Sequence, residues 1–215
     1  MLAQQAALFD LEELARAERL AVPWHGAPLA YTTDYHDPQE LDAAWDRWID
    51  ENGRQDAYAR SHMWHSGCWN QPPTQAQGHE CHLYSADTSC TQAHHDHDAD
   101  PPPAAGHTQA ICPPCRWHYI TNGENAAVEA WHDHAMPGWR NLPLFPLRTL
   151  GAAHDRKSRA WGEAHYPANW QFPGAPILTR RPPMGTRHVP HYSPFDGYDL
   201  CVGVIHPPSK PGATP

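Results

Sequence analysis

From Trp139 onward the chain has little room for long helices. Prolines stand at positions 143, 146, 167, 173, 176, 182, 183, 190 and 194. Each removes a backbone donor and clashes with the turn before it. Residues 152–164 are the one stretch where a helix is expected; the rest reads as extended segments that wrap over the remainder of the protein. The core is poor as well. Of 215 residues, 24 are proline and 10 are tryptophan, while Leu, Ile, Val and Phe are sparse, and the mean hydropathy is −0.73. A core of this kind is small and aromatic and calls for a staple.

The stretch "CPPCRWHYITNGENAAVEAWHDHAMPGWR", residues 112–140, offers one. Cys112 and Cys115 on a tight turn present two thiolates to one side of an ion, and Pro113 and Pro114 stiffen that turn. Asn122-Gly123 then turns the chain, and a helix is predicted from Glu124 to Ala135, stopped by Pro137-Gly138. That helix carries His132 and His134. Zinc takes three or four such ligands in a tetrahedron.

The spacing departs from the common zinc finger, which has about twelve residues and then two histidines three to five apart. Here sixteen residues intervene and the histidines are two apart. On a continuous helix they point roughly 200° from each other, so both reach one ion only if the helix unwinds between them. His132 lies about 70° and His134 about 90° from the centre of the inward face of Val128, Trp131 and Ala135, which favours His132. The ligand set read from the sequence is Cys112, Cys115, His132 and His134, with Cys90 or Cys81 as the alternative fourth ligand. His62-x2-His65-x2-Cys68 and His79-x-Cys81-His82 are also rich in ligands and are candidates for a second ion. With 18 histidines in the chain, such clusters also arise by chance.

Two helices precede this region. Asp10 to Arg19 carries a D-x-x-E capping box with Leu11, Leu14 and Ala15 as its apolar stripe. Asp37 caps the second, Pro38 opens it and Asn52-Gly53 closes it. Its buried face is Leu41, Ala44, Trp45, Trp48 and Ile49. Strands are predicted within 57–70, over 81–88 and from Ile111 to Ile120. The His-rich, Pro-rich stretch 91–109 breaks every pattern and reads as a disordered insertion.

These elements give an α+β fold: a small zinc-stapled domain with short strands, two or three amphipathic helices and a long Pro-rich irregular C-terminal segment. One domain, 1–215, is expected. It comprises a helical part (1–53), a zinc-binding hairpin–helix part (54–140) and a basic wrapping segment (141–215).

Charge is unevenly spread. Residues 1–139 hold six basic and twenty acidic side chains, and residues 140–215 hold nine basic and four acidic. Arg180, Arg181, Arg187 and His188 cluster in the basic half, near Trp170 and Tyr192, a composition suited to phosphate and base stacking. The competing reading pairs these arginines with the acidic half. A net charge of −9 argues against tight non-specific DNA binding. No apolar run is long enough to span a bilayer. The first residues lack a secretory pattern, so the cytoplasm is the expected compartment, with thiols reduced.

Three segments, "GAPLAYTTDYHDPQELDAAWDRWIDENG", "ENAAVEAWHDHAMPGWRNLP" and "GTRHVPHYSPFDGYDL", resemble an uncharacterised family of proteins from actinobacteria and their phages. The likeness covers most of the chain outside the His-rich insertion. It implies a cysteine pair followed by a His-x-His helix, matched here by Cys112, Cys115, His132 and His134. It implies an accessory protein and supplies no reaction. The expected function is that of a zinc-binding, non-enzymatic accessory protein that acts by binding a protein or nucleic-acid partner. A metal-dependent hydrolase or nuclease and a structural virion component are the alternatives. Two thiolates lower an ion's Lewis acidity, which favours a structural metal.

Overall fold

The computed structural model describes residues 2–53, 62–66, 73–88, 106–146, 156–180 and 189–207, with side chains from residue 11 onward. Two compact units are distinguished, one from Met1–His65 and Ala86–Gly106, the other from Ser66–Ser85 and His107–Pro215.

The first unit holds α1 (Leu2–Ala21) and α2 (Pro38–Asn52). α1 begins eight residues before the capping box read from the sequence, and its Leu11 and Leu14 are 63% and 58% exposed. The apolar stripe expected there is therefore not a buried one. Polar contacts join the helices instead. Arg19 donates to the Asp50 carboxylate at 2.6 and 2.8 Å. Arg47 donates to the carbonyls of Arg19 and Val22 at 2.8 and 3.1 Å, satisfying the end of α1 as a cation there should.

α2 starts and stops where its punctuation predicts. Glu40 accepts from the Asp37 N–H at 2.9 Å, and Gly53, at φ 84°, donates to Ile49 O at 2.8 Å. Leu41 and Ala44 are buried as expected, whereas Trp45, Trp48 and Ile49 are half-buried. The buried indole of this unit is Trp64, whose Nε1 donates to Thr32 O at 2.7 Å beside the Tyr31 ring. The two residues of β1, His65–Ser66, fall at the boundary between the units.

The second unit holds two sheets. In the first, β2 (Thr74–Ala76) pairs with the start of β3 (His79–Asp87) across a two-residue turn, Gln77-Gly78. Both turn residues have positive φ, 50° and 81°, the geometry of a tight hairpin. β3 neighbours β4 (Gly106–Cys112), and β4 pairs antiparallel with β5 (Trp117–Thr121). β4 starts three residues before the expected end of the His-rich insertion. Gln109 is buried in it, donating to His118 Nδ1 at 2.8 Å. α3 (Glu124–Ala135) packs on β5, with Val128 and Trp131 fully buried.

The second sheet is built from extended stretches of the C-terminal segment. β6 (Leu144–Phe145), β7 (Ala175–Thr179) and β8 (Asp196–Cys201) lie side by side and parallel, and α4 (Arg156–His165) lies between β6 and β7 in sequence. Four helices are thus present among the described residues, α4 falling, but for its last residue His165, within the stretch where the proline spacing allows one. All five residues of β7 are buried, as a parallel strand covered on both faces requires. Pro176 is tolerated inside it because the β7–β8 register shifts between Ala175 and Ile177, and a bulge is where a strand accommodates proline.

Gly174 seats this sheet against the hairpin. Its φ is +87°, and a Cβ there would lie 2.1 Å from the Gln75 carbonyl oxygen. The core joins both sheets through Trp131, Trp139, Phe145, Tyr166, Ile177 and Leu200.

Candidate metal centre

Three pieces of chain converge at one end of the first sheet. The β4–β5 connection is a single 3-10 turn, Pro113–Cys115, closed by Arg116 in the left-handed region at φ 49°. Two prolines favour that turn by fixing φ. It carries Cys112, buried, and Cys115, exposed. Because β3 lies next to β4, the start of β3 comes to the same corner. His79 Nδ1 is 3.6 Å from Cys112 Sγ and 3.3 Å from Cys115 Sγ. The end of α3 supplies His134, whose ring stands at 90° to the His79 ring, with centroids 5.1 Å apart. The ligand atoms of His79, Cys112, Cys115 and His134 all lie within 4.8 Å of one another. This group could hold a metal ion.

The distances suit a tetrahedral ion. Thiolate bonds of about 2.3 Å and imidazole bonds of about 2.0–2.1 Å give a sulfur–nitrogen edge of about 3.6 Å, close to both separations from His79. His134 Nε2 is buried with no hydrogen-bond partner among the described residues. A nitrogen left that way costs about 1–3 kcal/mol unless an ion or a water engages it. Burial, and then the neighbouring His79, hold the His134 imidazolium below its ordinary range, favouring the neutral form that binds metals. In the metal-free state, desolvation and then the Cys112 thiol push Cys115 up. An ion must therefore displace that proton to bind.

Packing fixes the ligands. Trp117, the first residue of β5, stacks on His134 at 4.5 Å with an interplanar angle of 3°. On a neighbouring face of α3, Asp133 accepts from Trp139 Nε1 at 2.8 Å and from Arg140 Nε and Nη2 at 2.9 Å each. Arg140 also donates to His206 O at 2.9 Å and lies 3.6 Å from the buried Glu129 carboxylate. Glu129 accepts from the His206 N–H at 2.7 Å. This clamp sets the rotation of α3 and hence the direction of His134.

Of the ligands read from the sequence, Cys112, Cys115 and His134 are brought together and His132 is not. α3 stays helical through Ala135, with Met136 N–H bonded to His132 O at 2.9 Å. No unwinding brings the two histidines to one side. His132 points into the core, fully buried, with Nδ1 2.7 Å from Val128 O and its ring against Trp131, Trp139 and Tyr198. Cys81 is also a core group: burial pushes its thiol well up, and Tyr198 hydrogen-bonds to it. Cys90 lies outside the described residues.

The fourth member, His79, stands in the sequence as part of the His79-x-Cys81-His82 set, there a candidate for a second ion. Alternation along β3 separates that set. His79 faces the cysteines, and His82 on the other face pairs with Glu80 at 2.9 Å. The available signal was a histidine directly after a Gln-Gly turn. Arg180 is exposed, whereas Arg181, Arg187 and His188 lie outside the described residues. No described helix is long and apolar enough to cross a membrane.

No curated protein and no solved structure matches the chain. A family profile does match, over residues 26–210, and so takes in every residue of the centre while leaving out α1. The chain belongs to DUF6349, a family of unknown function.

Proposed function

We propose that the protein is a zinc-binding, non-catalytic accessory protein, of phage or actinobacterial origin, that acts by engaging a protein or nucleic-acid partner. The observation that carries this reading is the meeting of two thiols and two imidazoles from three separate elements within 4.8 Å. Two sulfur and two nitrogen donors in a tetrahedron suit zinc. Four protein ligands complete its coordination and leave no position for a reactive water, which distinguishes structural from catalytic sites. The neighbouring carboxylate, Asp133, is engaged by Arg140 and Trp139 and is not available as a general base.

Elemental analysis of the purified protein tests the reading directly. One zinc per chain is expected, and less than about half an ion after mild purification would refute it. Removing the metal with a chelator should lower stability by several kcal/mol, because metal-binding energy is folding energy in a small site. Mobility shifts with random nucleic acid, set beside the mass of the native assembly, decide between the two kinds of partner.

A further inference from the structure

The two thiols of the centre are unequally accessible. Cys112 has no exposed surface, while Cys115, three residues on, is the exposed cysteine among those described. Both sulfurs belong to a cluster whose ligand atoms lie within 4.8 Å of one another, on a single 3-10 turn. The other described thiols, Cys81 and Cys201, are buried.

We infer that Cys115 is an oxidation site through which a peroxide ejects the metal ion and closes a Cys112–Cys115 disulfide. The inference rests on the zinc reading above. Metal-bound thiolates retain nucleophilic character, and access decides which sulfur is attacked. The exposed Cys115 sulfur attacks the peroxide O–O bond. It forms a sulfenic acid, and one oxygen leaves as water or hydroxide. The Cys112 thiolate then attacks the Cys115 sulfur and expels the second oxygen as hydroxide. Two thiolates lose two electrons in total, and the peroxide gains them. A disulfide is a poor ligand, so the ion keeps only His79 and His134 and dissociates. The start of β3, the β4–β5 turn and the end of α3 are then no longer tied at this corner.

The test uses the protein as purified, with its zinc content measured first. Hydrogen peroxide is titrated in, released zinc is read with a chromophoric chelator, and the cysteine peptides are mapped by mass spectrometry. The expected result is loss of the bound zinc in step with a loss of about 2 Da from the peptide holding Cys112 and Cys115, as disulfide formation requires. Dithiothreitol with added zinc should reverse both. Zinc retained while other thiols oxidise, or released with Cys112 bonded to Cys81 instead, overturns the inference and leaves the zinc reading standing. Protein that carries no zinc before peroxide is added overturns both, and the initial metal measurement identifies that case.

Discussion

His132 and His134 sit two residues apart on one helix, and their replacement should separate metal binding from core packing. His134→Ala removes one of four ligands. Apparent zinc binding in small structural sites is worth about 10–16 kcal/mol, so an equal share is about 2.5–4 kcal/mol, or roughly 70- to 800-fold in affinity. Its packing loss is smaller, since the ring is half-buried and its main apolar neighbour is Trp117. His132→Ala should do the reverse. That imidazole is fully buried among Trp131, Trp139 and Tyr198, and the cavity should cost on the order of 3 kcal/mol, a drop of roughly 6–12 °C in melting temperature for a chain of this size. Metal affinity should stay close to that of the parent. Competition against a chromophoric chelator reads affinity, and melts at saturating zinc read packing. If His132→Ala loses the metal and His134→Ala keeps it, the orientation assigned to α3 is wrong.

Other changes test the remaining parts. His79→Ala should weaken zinc binding as much as His134→Ala does, whereas His82→Ala, on the opposite face of β3, should leave it unchanged in the same competition assay. Arg140→Ala leaves the buried Glu129 without its guanidinium and should cost about 3–5 kcal/mol. A melting temperature equal to that of the parent would show that the clamp adds nothing. Gly174→Ala places a methyl group on the Gln75 carbonyl at a left-handed backbone position and should cost more than about 2 kcal/mol, seen as a lower urea midpoint.

What the sequence made legible was local. α2 and α3 carry their punctuation within a few residues of their ends, and their bounds follow from Asp37-Pro38, Asn52-Gly53, Asn122-Gly123 and Pro137-Gly138. The cysteine pair was legible for the same reason, because its two members share one turn. His79 was not, because it stands 33 residues before Cys112 and reaches the site only through the pairing of β3 beside β4. The choice between the helix histidines turned on about 20° of rotation. In the fold His134 stands with the cysteines, with Trp139 and Tyr198 around the His132 ring and Trp117 on the His134 ring. The parallel sheet was hidden by Pro176, whose presence argues against a strand unless a bulge is known to receive it.

The two devices on α3 act on different faces of it. On one face His134 joins the helix to the β4–β5 turn and, through the shared ion of the zinc reading, to the start of β3. On another Glu129, Asp133 and Arg140 join it to the chain at His206. Neither is sufficient alone. Four ligands from three elements cannot close on an ion unless α3 is already rotated correctly. A buried carboxylate such as Glu129 is costly unless the C-terminal segment is in place to meet it. Each device therefore stabilises the geometry that the other requires. In a chain with few aliphatic side chains, this mutual dependence can supply the cooperativity that a larger core would otherwise provide. Arg140→Ala should then weaken zinc binding as well as folding, although Arg140 is not among the four ligands. Independent devices would leave zinc affinity unchanged in that variant, and chelator competition distinguishes the two.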